Sequence, residues 1–306
     1  MLDRNLPSRR RFISTVAGSS AVVAAASLFS RSESVAQEAE TQRQDPVVLR
    51  SVKWGMIQTE GNVLDKFQLC KELGYDGMEL ISPTKLSAEK IRAASESTGM
   101  PVHGLVDMKH WEVRLSSPDS AVRQRGQQFL DQAIRDAKAF GGDTVLLVPG
   151  KVAGDDETHD HVWNRSIVEI RKSIPLAARL GVRILIENVW NGFCETPDQL
   201  KDYVDEIGSP WVGVYFDIGN ARKFAPSEQW IETLGSRIVK LDIKDWSKDW
   251  PKNSGFCKIG DGDVDWKAVN ESLAKIGFSG RSTAEVQGGD RDRLVDIAQR
   301  MDRVLE

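Results

Sequence analysis

Histidine and cysteine are scarce in this chain, with four and three among 306 residues. Cys70, Cys194 and Cys257 are odd in number and form no CxxC pair, so they describe no disulfide framework. Cys70 falls in a helical pattern and reads as a small buried residue. No basic block is present and the net charge is −4, which argues against a nucleic-acid partner. No glycine-rich loop follows the first strand-like run, which removes the dinucleotide-binding fingerprint. Long apolar runs are missing as well. The run TVAGSSAVVAAASLF (15–29) is too short and too rich in Ser and Gly to span a bilayer well.

What is there begins with that run. It follows SRRRFIS (8–14) and precedes Ser34-Val35-Ala36, the order of an export signal cut after Ala36. The paired arginines resemble the twin-arginine type, which points to an exported, periplasmic protein without stable membrane insertion once residues 1–36 are removed. Cleavage removes five basic and two acidic residues and leaves a net charge of −7. Residues 37–49 read as a polar linker and 50–306 as one domain.

Within that domain one alternation repeats. Strand-like runs at 51–57, 76–81, 101–106, 143–148, 182–187, 211–217, 237–243 and 280–286 are separated by stretches of helical period such as 121–140 and 165–181. Gly74, Gly99, Gly141, Gly181, Gly208, Gly235 and Gly277 stand where left-handed helix caps belong. Eight strands alternating with helices predict a (β/α)8 TIM barrel, with an open doubly wound sheet as the competing topology. Two longer connections, 107–119 and 244–264, mix tryptophans with charges and suit a substrate lid.

In such a barrel the C-terminal strand ends carry the chemistry, and here they are Glu79, His103, Glu187, Asp217, Asp242 and Glu285. Carboxylates on four consecutive strands converge if the barrel closes, so either protons or a divalent cation must relieve their repulsion. Strand 238–243 (IVKLDI), continued by Lys244, puts Lys240, Asp242 and Lys244 on one face. That face is expected inside the barrel, with Val239, Leu241 and Ile243 against the helices. Lys240, lying deeper, needs a carboxylate partner inside. His103 reads either as a substrate contact or as a satisfied core residue.

ILIENVWN (184–191), GVYFDIGN (213–220), VKLDIKD (239–245) and TAEVQGGD (283–290) resemble the sugar phosphate isomerase/epimerase family with the xylose-isomerase-like barrel. HGLVDMKHW (103–111), LSSPD (115–119) and IGDGDVDW (259–266) do so too. The resemblance implies a sugar isomerase or epimerase holding one divalent ion through Glu187, Asp217, Asp242 and Glu285. Glu187 and Glu285 would be the acid/base pair. Asp242 stands where the commonest pattern has histidine, which favours Mn²⁺ or Mg²⁺ over Zn²⁺ or Co²⁺. It also leaves open a degenerate site with lyase, dehydratase or non-catalytic sugar-binding function. An endonuclease IV-like phosphodiesterase needs many more histidines than four.

Proton transfer through an enediolate on a ketose or keto-sugar needs two bases and a cation. Around them, His103, Asn188, Asn191, Asn220, Lys244 and Trp111 are the candidate contacts to a small-molecule sugar. Trp54 and Trp190 could stack on it, although packing explains them as well. The aspartates of 259–266 would repel a phosphate, and a turn leading into a helix N-cap accounts for the segment, so an unphosphorylated sugar is expected. A homo-oligomer is compatible with the sequence.

Overall fold

The computed structural model describes residues 47–305 except 250, 251 and 253. The expected export signal and most of the expected linker lie outside the described residues. In chain order the elements are β1 (Val48–Lys53), α1 (Val63–Glu72), β2 (Gly77–Ser82), α2 (Ala88–Thr98), β3 (Val102–Asp107) and α3 (Ser120–Phe140). Next come β4 (Thr144–Leu147), α4 (His159–Leu180), β5 (Arg183–Glu187), α5 (Pro197–Ile207), β6 (Val212–Asp217) and the short α6 (Ile218–Arg222). The last are α7 (Ser227–Leu234), β7 (Ile238–Ile243), β8 (Asp245–Ser247), β9 (Gly255–Cys257), α8 (Trp266–Lys275), β10 (Gly280–Ala284) and α9 (Arg291–Val304).

Eight parallel strands close in the order β1-β2-β3-β4-β5-β6-β7-β10, with β8 and β9 forming a separate antiparallel hairpin. Pairing of Val48–Val52 with Gly280–Ala284 closes the ring and rules out the open sheet. β1 starts at Val48, inside the segment expected as linker, because residues 48–50 pair with 280–282. It ends at Lys53, where a 3₁₀ turn over Trp54–Met56 replaces the expected strand continuation.

Local chemistry sets the helix bounds. Capping boxes start α1 (Asn62 with Asp65) and α5 (Thr196 with Gln199), each satisfying backbone N–H groups that the first turn leaves free. All seven glycines expected to end helices have positive φ, for example Gly141 at 94° and Gly181 at 67°. Between them each helix buries one stripe. On α3 it is Leu130, Ala133, Ile134, Ala137 and Phe140, packed in the layer between barrel and helices.

Inside the barrel the residues are largely polar. Tyr215 Oη donates to Glu79 Oε1 (3.0 Å) and shares a hydrogen bond with Thr283 Oγ1 (2.7 Å). Lower down, Lys240 Nζ meets the His103 carbonyl and Thr144 Oγ1 (both 2.6 Å), His103 Nδ1 (2.9 Å) and Asp143 Oδ1 (3.2 Å). A side chain at Gly104 would collide with Thr144 and crowd Lys240, so glycine there makes the room. The carboxylate expected beside Lys240 is thus Asp143, a mostly exposed residue just before β4 rather than one inside the barrel.

Leu241 and Ile243 join the outer core as expected, but Val239 does not. The register of β6 with β7 shifts between Val214↔Ile238 and Tyr215↔Lys240. That bulge turns Val239 onto the cluster of Val106, Leu146, Leu185 and Tyr215.

Candidate active site

Glu187 and Asp217 are the last residues of β5 and β6, Asp242 lies on β7, and Glu285 follows β10. Closure brings one carboxylate oxygen of each within 4.8 Å of the others. The four acids singled out in the sequence therefore share one volume.

Two lysines enter it. Lys244 Nζ lies 2.9 Å from Asp217 Oδ2 and 2.5 Å from Glu285 Oε2. Lys53, at the end of β1 and not foreseen, reaches Asp242 Oδ2 at 2.9 Å, Glu285 Oε1 at 2.7 Å and Glu79 Oε2 at 3.7 Å. Burial alone would drain charge from Lys53, but Asp242 and Glu285 hold its pKa well above the usual lysine value. Glu285 shows the reverse: burial would raise it, yet Lys53 and Lys244 hold it far below the carboxylate range. Glu187 has no ion pair or hydrogen bond among the described residues, and burial, then the charges of Glu285 and Asp217, raise its carboxyl well above normal.

The donor set can be tested against a divalent ion. Four carboxylates against two ammonium groups leave a charge of −2. Asp242 Oδ1 is buried with no hydrogen-bond partner, and the Glu187 carboxylate is equally free. All the donors are oxygens, the chemistry of Mg²⁺ or Mn²⁺, and no imidazole belongs to the set, which weighs against Zn²⁺. The residues fit a hard divalent cation.

The asparagines expected at substrate are each hydrogen-bonded to main chain. Asn188 Oδ1 accepts from Asp217 N and its Nδ2 donates to Asp217 O (both 2.8 Å). Asn220 Nδ2 donates to Asn188 O (2.9 Å), while its own N–H caps onto Asp217 Oδ1 (2.7 Å). Asn191 bonds Gly150 O and Phe193 N. These amides fix the ends of β5 and β6, and with them Glu187 and Asp217.

His103 is likewise committed. Its ring lies between Lys240 and Thr283 Oγ1 (3.4 Å), and burial with the Lys240 charge pushes its pKa well below normal. The structure favours its core reading. A different imidazole sits near the acids. His110 is buried, and its Nδ1 accepts the Val148 N–H at 3.2 Å. That leaves the ring proton on Nε2, which has no protein partner among the described residues. Burial and the nearby charge of Lys53 lower its pKa to about 3. The His-Trp pair inside the 107–119 connection was the signal for it, since exposed Trp111 packs edge-on against that ring with centroids 5.4 Å apart.

The 244–264 connection forms a wall of the mouth. Phe256 on β9 stacks on Trp190 (4.5 Å, 14°), Lys244 lies over Phe256 (4.6 Å), and Trp190 Nε1 donates to Asn220 O (2.9 Å). A cavity of about 720 Å³ opens there, lined by Lys244, Phe256, Lys258, Glu285 and Arg293 among others. Trp54 packs on Phe67 and under Lys66. One carboxylate ties the wall down: Asp245 accepts from the N–H groups of Trp246, Gly260, Gly262 and Val264 and from Trp266 Nε1. The glycine N–H groups of IGDGDVDW therefore already hold an anion, the chain's own. Asp265 caps α8 as the sequence suggested.

A family model described as Xylose isomerase-like TIM barrel matches residues 67–304. The chain belongs to that family. It is 26% identical over 254 residues to L-ribulose-5-phosphate 3-epimerase UlaE of Escherichia coli (strain K12), covering 79% of this chain and 88% of that protein. Among solved structures, D-psicose 3-epimerase from Clostridium cellulolyticum H10 superposes with a TM-score of 0.69 at 18% identity, over 85% of this chain and 100% of that one. The 3-keto-D-glucoside 4-epimerase YcjR from E. coli gives 0.71 at 17%, over 84% and 98%. These two likenesses speak to the fold.

Proposed function

We propose that the protein is a sugar isomerase or epimerase that depends on a divalent metal ion, Mn²⁺ or Mg²⁺, and moves a proton through an enediolate on an unphosphorylated ketose or keto-sugar. The observation that carries this is the convergence of Glu187, Asp217, Asp242 and Glu285, with one oxygen of each within 4.8 Å of the others, and the different surroundings of Glu187 and Glu285 within that cluster. Lys53 and Lys244 pair with Glu285 and hold its pKa far below the carboxylate range, whereas Glu187 has no ion pair among the described residues and burial raises its carboxyl above normal. Environments that push two pKa values apart define an acid and a base. Glu285 takes the proton next to the carbonyl and Glu187 returns one. His110 offers a neutral Nε2–H to a sugar oxygen, and Lys244 faces the cavity beside it. When bound, the ion supplies Lewis-acid stabilisation of the oxyanion that develops as the proton leaves. The epimerase names of the relatives support the reaction class, and occupation of the glycine loop by Asp245 supports the unphosphorylated substrate.

Metal analysis of the purified protein, followed by sugar interconversion assays on Glu187→Gln and Glu285→Gln, tests the proposal. Bound Mn²⁺ or Mg²⁺ and loss of turnover in both variants are expected. No bound metal, or full activity in both, overturns it, and turnover of sugar phosphates alone refutes the unphosphorylated substrate.

A second reading, a lyase, a dehydratase or a sugar-binding protein with a degenerate metal site, draws on the two lysines inside the acid cluster. Bound metal without sugar interconversion would favour it. We also place the mature protein in the periplasm, beginning after Ala36. N-terminal sequencing of the exported form checks this. Among the described residues no helix is long and apolar enough to cross a membrane.

A further inference from the structure

Lys53 is neither the acid nor the base above, yet it makes the densest set of ionic contacts in the site. Its Nζ touches Asp242 Oδ2 (2.9 Å) and Glu285 Oε1 (2.7 Å), with Glu79 Oε2 at 3.7 Å. The side chain is largely buried. β1 stands between β10 and β2 in the closed ring, so the lysine at its C-terminal end is aimed at the acids after β10 and on β2 and β7. Lys244 differs from it. That lysine lines the open cavity and meets Asp217 and Glu285, whereas Lys53 is directed at Asp242, Glu285 and Glu79.

Among the described residues Lys53 is the one cation in ion-pair contact with Asp242, whereas Glu285 also has Lys244. One Asp242 oxygen is bonded to Lys53 and the other, Oδ1, is buried with no partner. A carboxylate paired with an ammonium carries no net charge as a unit and presents a single free oxygen. We infer that Lys53 is a positioning residue, a tethered counter-ion shared by Asp242 and Glu285 that leaves Asp242 one free oxygen and sets how tightly the acid cluster holds a divalent cation. The ammonium repels the ion at close range and so lowers the affinity of the whole cluster. Bound more weakly, the ion stays exchangeable. The inference rests on the metal-dependent reading above.

Calorimetric titration of the full mature protein with Mn²⁺ tests it, comparing wild type with Lys53→Met, Lys53→Arg and the double variant Lys53→Met/Asp242→Asn. Removing the ammonium alone should tighten Mn²⁺ binding about tenfold or more. Arginine should keep the wild-type affinity, and removing both charges together should return affinity towards it. A purely structural role for Lys53 would not be rescued by deleting its partner. If Lys53→Met fails to fold, Asp242→Asn alone reads the pair from the other side, since the unpaired ammonium should then weaken Mn²⁺ binding by a similar factor. Wild type that binds Mn²⁺ with the same affinity as Lys53→Met, or more tightly, overturns the role of Lys53 and leaves the metal reading standing. Wild type and all variants that bind no Mn²⁺ yet interconvert sugars overturn both.

Discussion

Lys240 and Lys244 follow one another on the same side of β7, and their surroundings are opposite. Lys240, in the lower interior, is met mainly by neutral acceptors: a carbonyl, a hydroxyl and an imidazole nitrogen. Burial then dominates and lowers its pKa, opposed by Asp143 at the barrel's end and by the charge of Glu79. Lys244, at the rim, is met by Asp217 and Glu285, and those charges more than offset the burial that would lower it. In the lower interior Lys240 therefore finds its partners among fixed protein groups. At the rim, charges are instead gathered in excess and two carboxylates keep free oxygens, which is the condition for binding something from outside.

That contrast can be broken in four ways, in falling order of effect. Replacing Glu285 or Glu187 with Gln removes the rim's acid or base and should lower turnover about 10³–10⁴-fold with the fold intact, as read by steady-state kinetics and circular dichroism. Equal loss of activity and folding would mean the rim is structural as well.

Asp107 is the next case, a buried carboxylate at the end of β3 with one donor, Lys109 N, and no cation. Burial raises its pKa to about 7. The folded state prefers the protonated form, so its contribution is full below the unfolded value near 4 and is lost as pH rises through 7. Asp107→Asn should therefore match wild type near pH 4 and exceed it by up to about 4 kcal/mol above pH 8 in denaturant unfolding. A constant difference across that range would contradict the burial argument.

Asp245→Ala takes five donors from one carboxylate and should cost about 3 kcal/mol. Protease cleavage within 244–264 should accelerate before global unfolding does. Lys240→Met is the smallest, about 2 kcal/mol of stability, with Mn²⁺ affinity unchanged. If it shifted Mn²⁺ binding as much as Lys53→Met, the two layers would not be separable.

Much of the fold could be read from the chain because its signals are local. Strand runs, glycine caps and the N-cap at Asp265 each depend on a few neighbouring residues. Glu187, Asp217, Asp242 and Glu285 were legible because barrel closure alone brings strand ends together. Lys53 was not, since its partners lie 189 and 232 residues away and depend on which strands flank β1. Val239 was misjudged because a bulge shifts alternation by one residue, which no pattern within β7 reveals. Asn188, Asn191 and Asn220 looked like substrate contacts because an amide serves a sugar hydroxyl and a backbone group equally well. Only their neighbours show that main chain claims them.

Proton transfer between Glu285 and Glu187 is tested most directly by running the interconversion in D₂O and reading the product by NMR. Two carboxylates that flank the sugar and exchange their protons with solvent predict one deuterium per turnover on the carbon beside the carbonyl, absent from recovered unreacted sugar. Product that carries only protium at that carbon, or a sugar cleaved or dehydrated instead of rearranged, would contradict it.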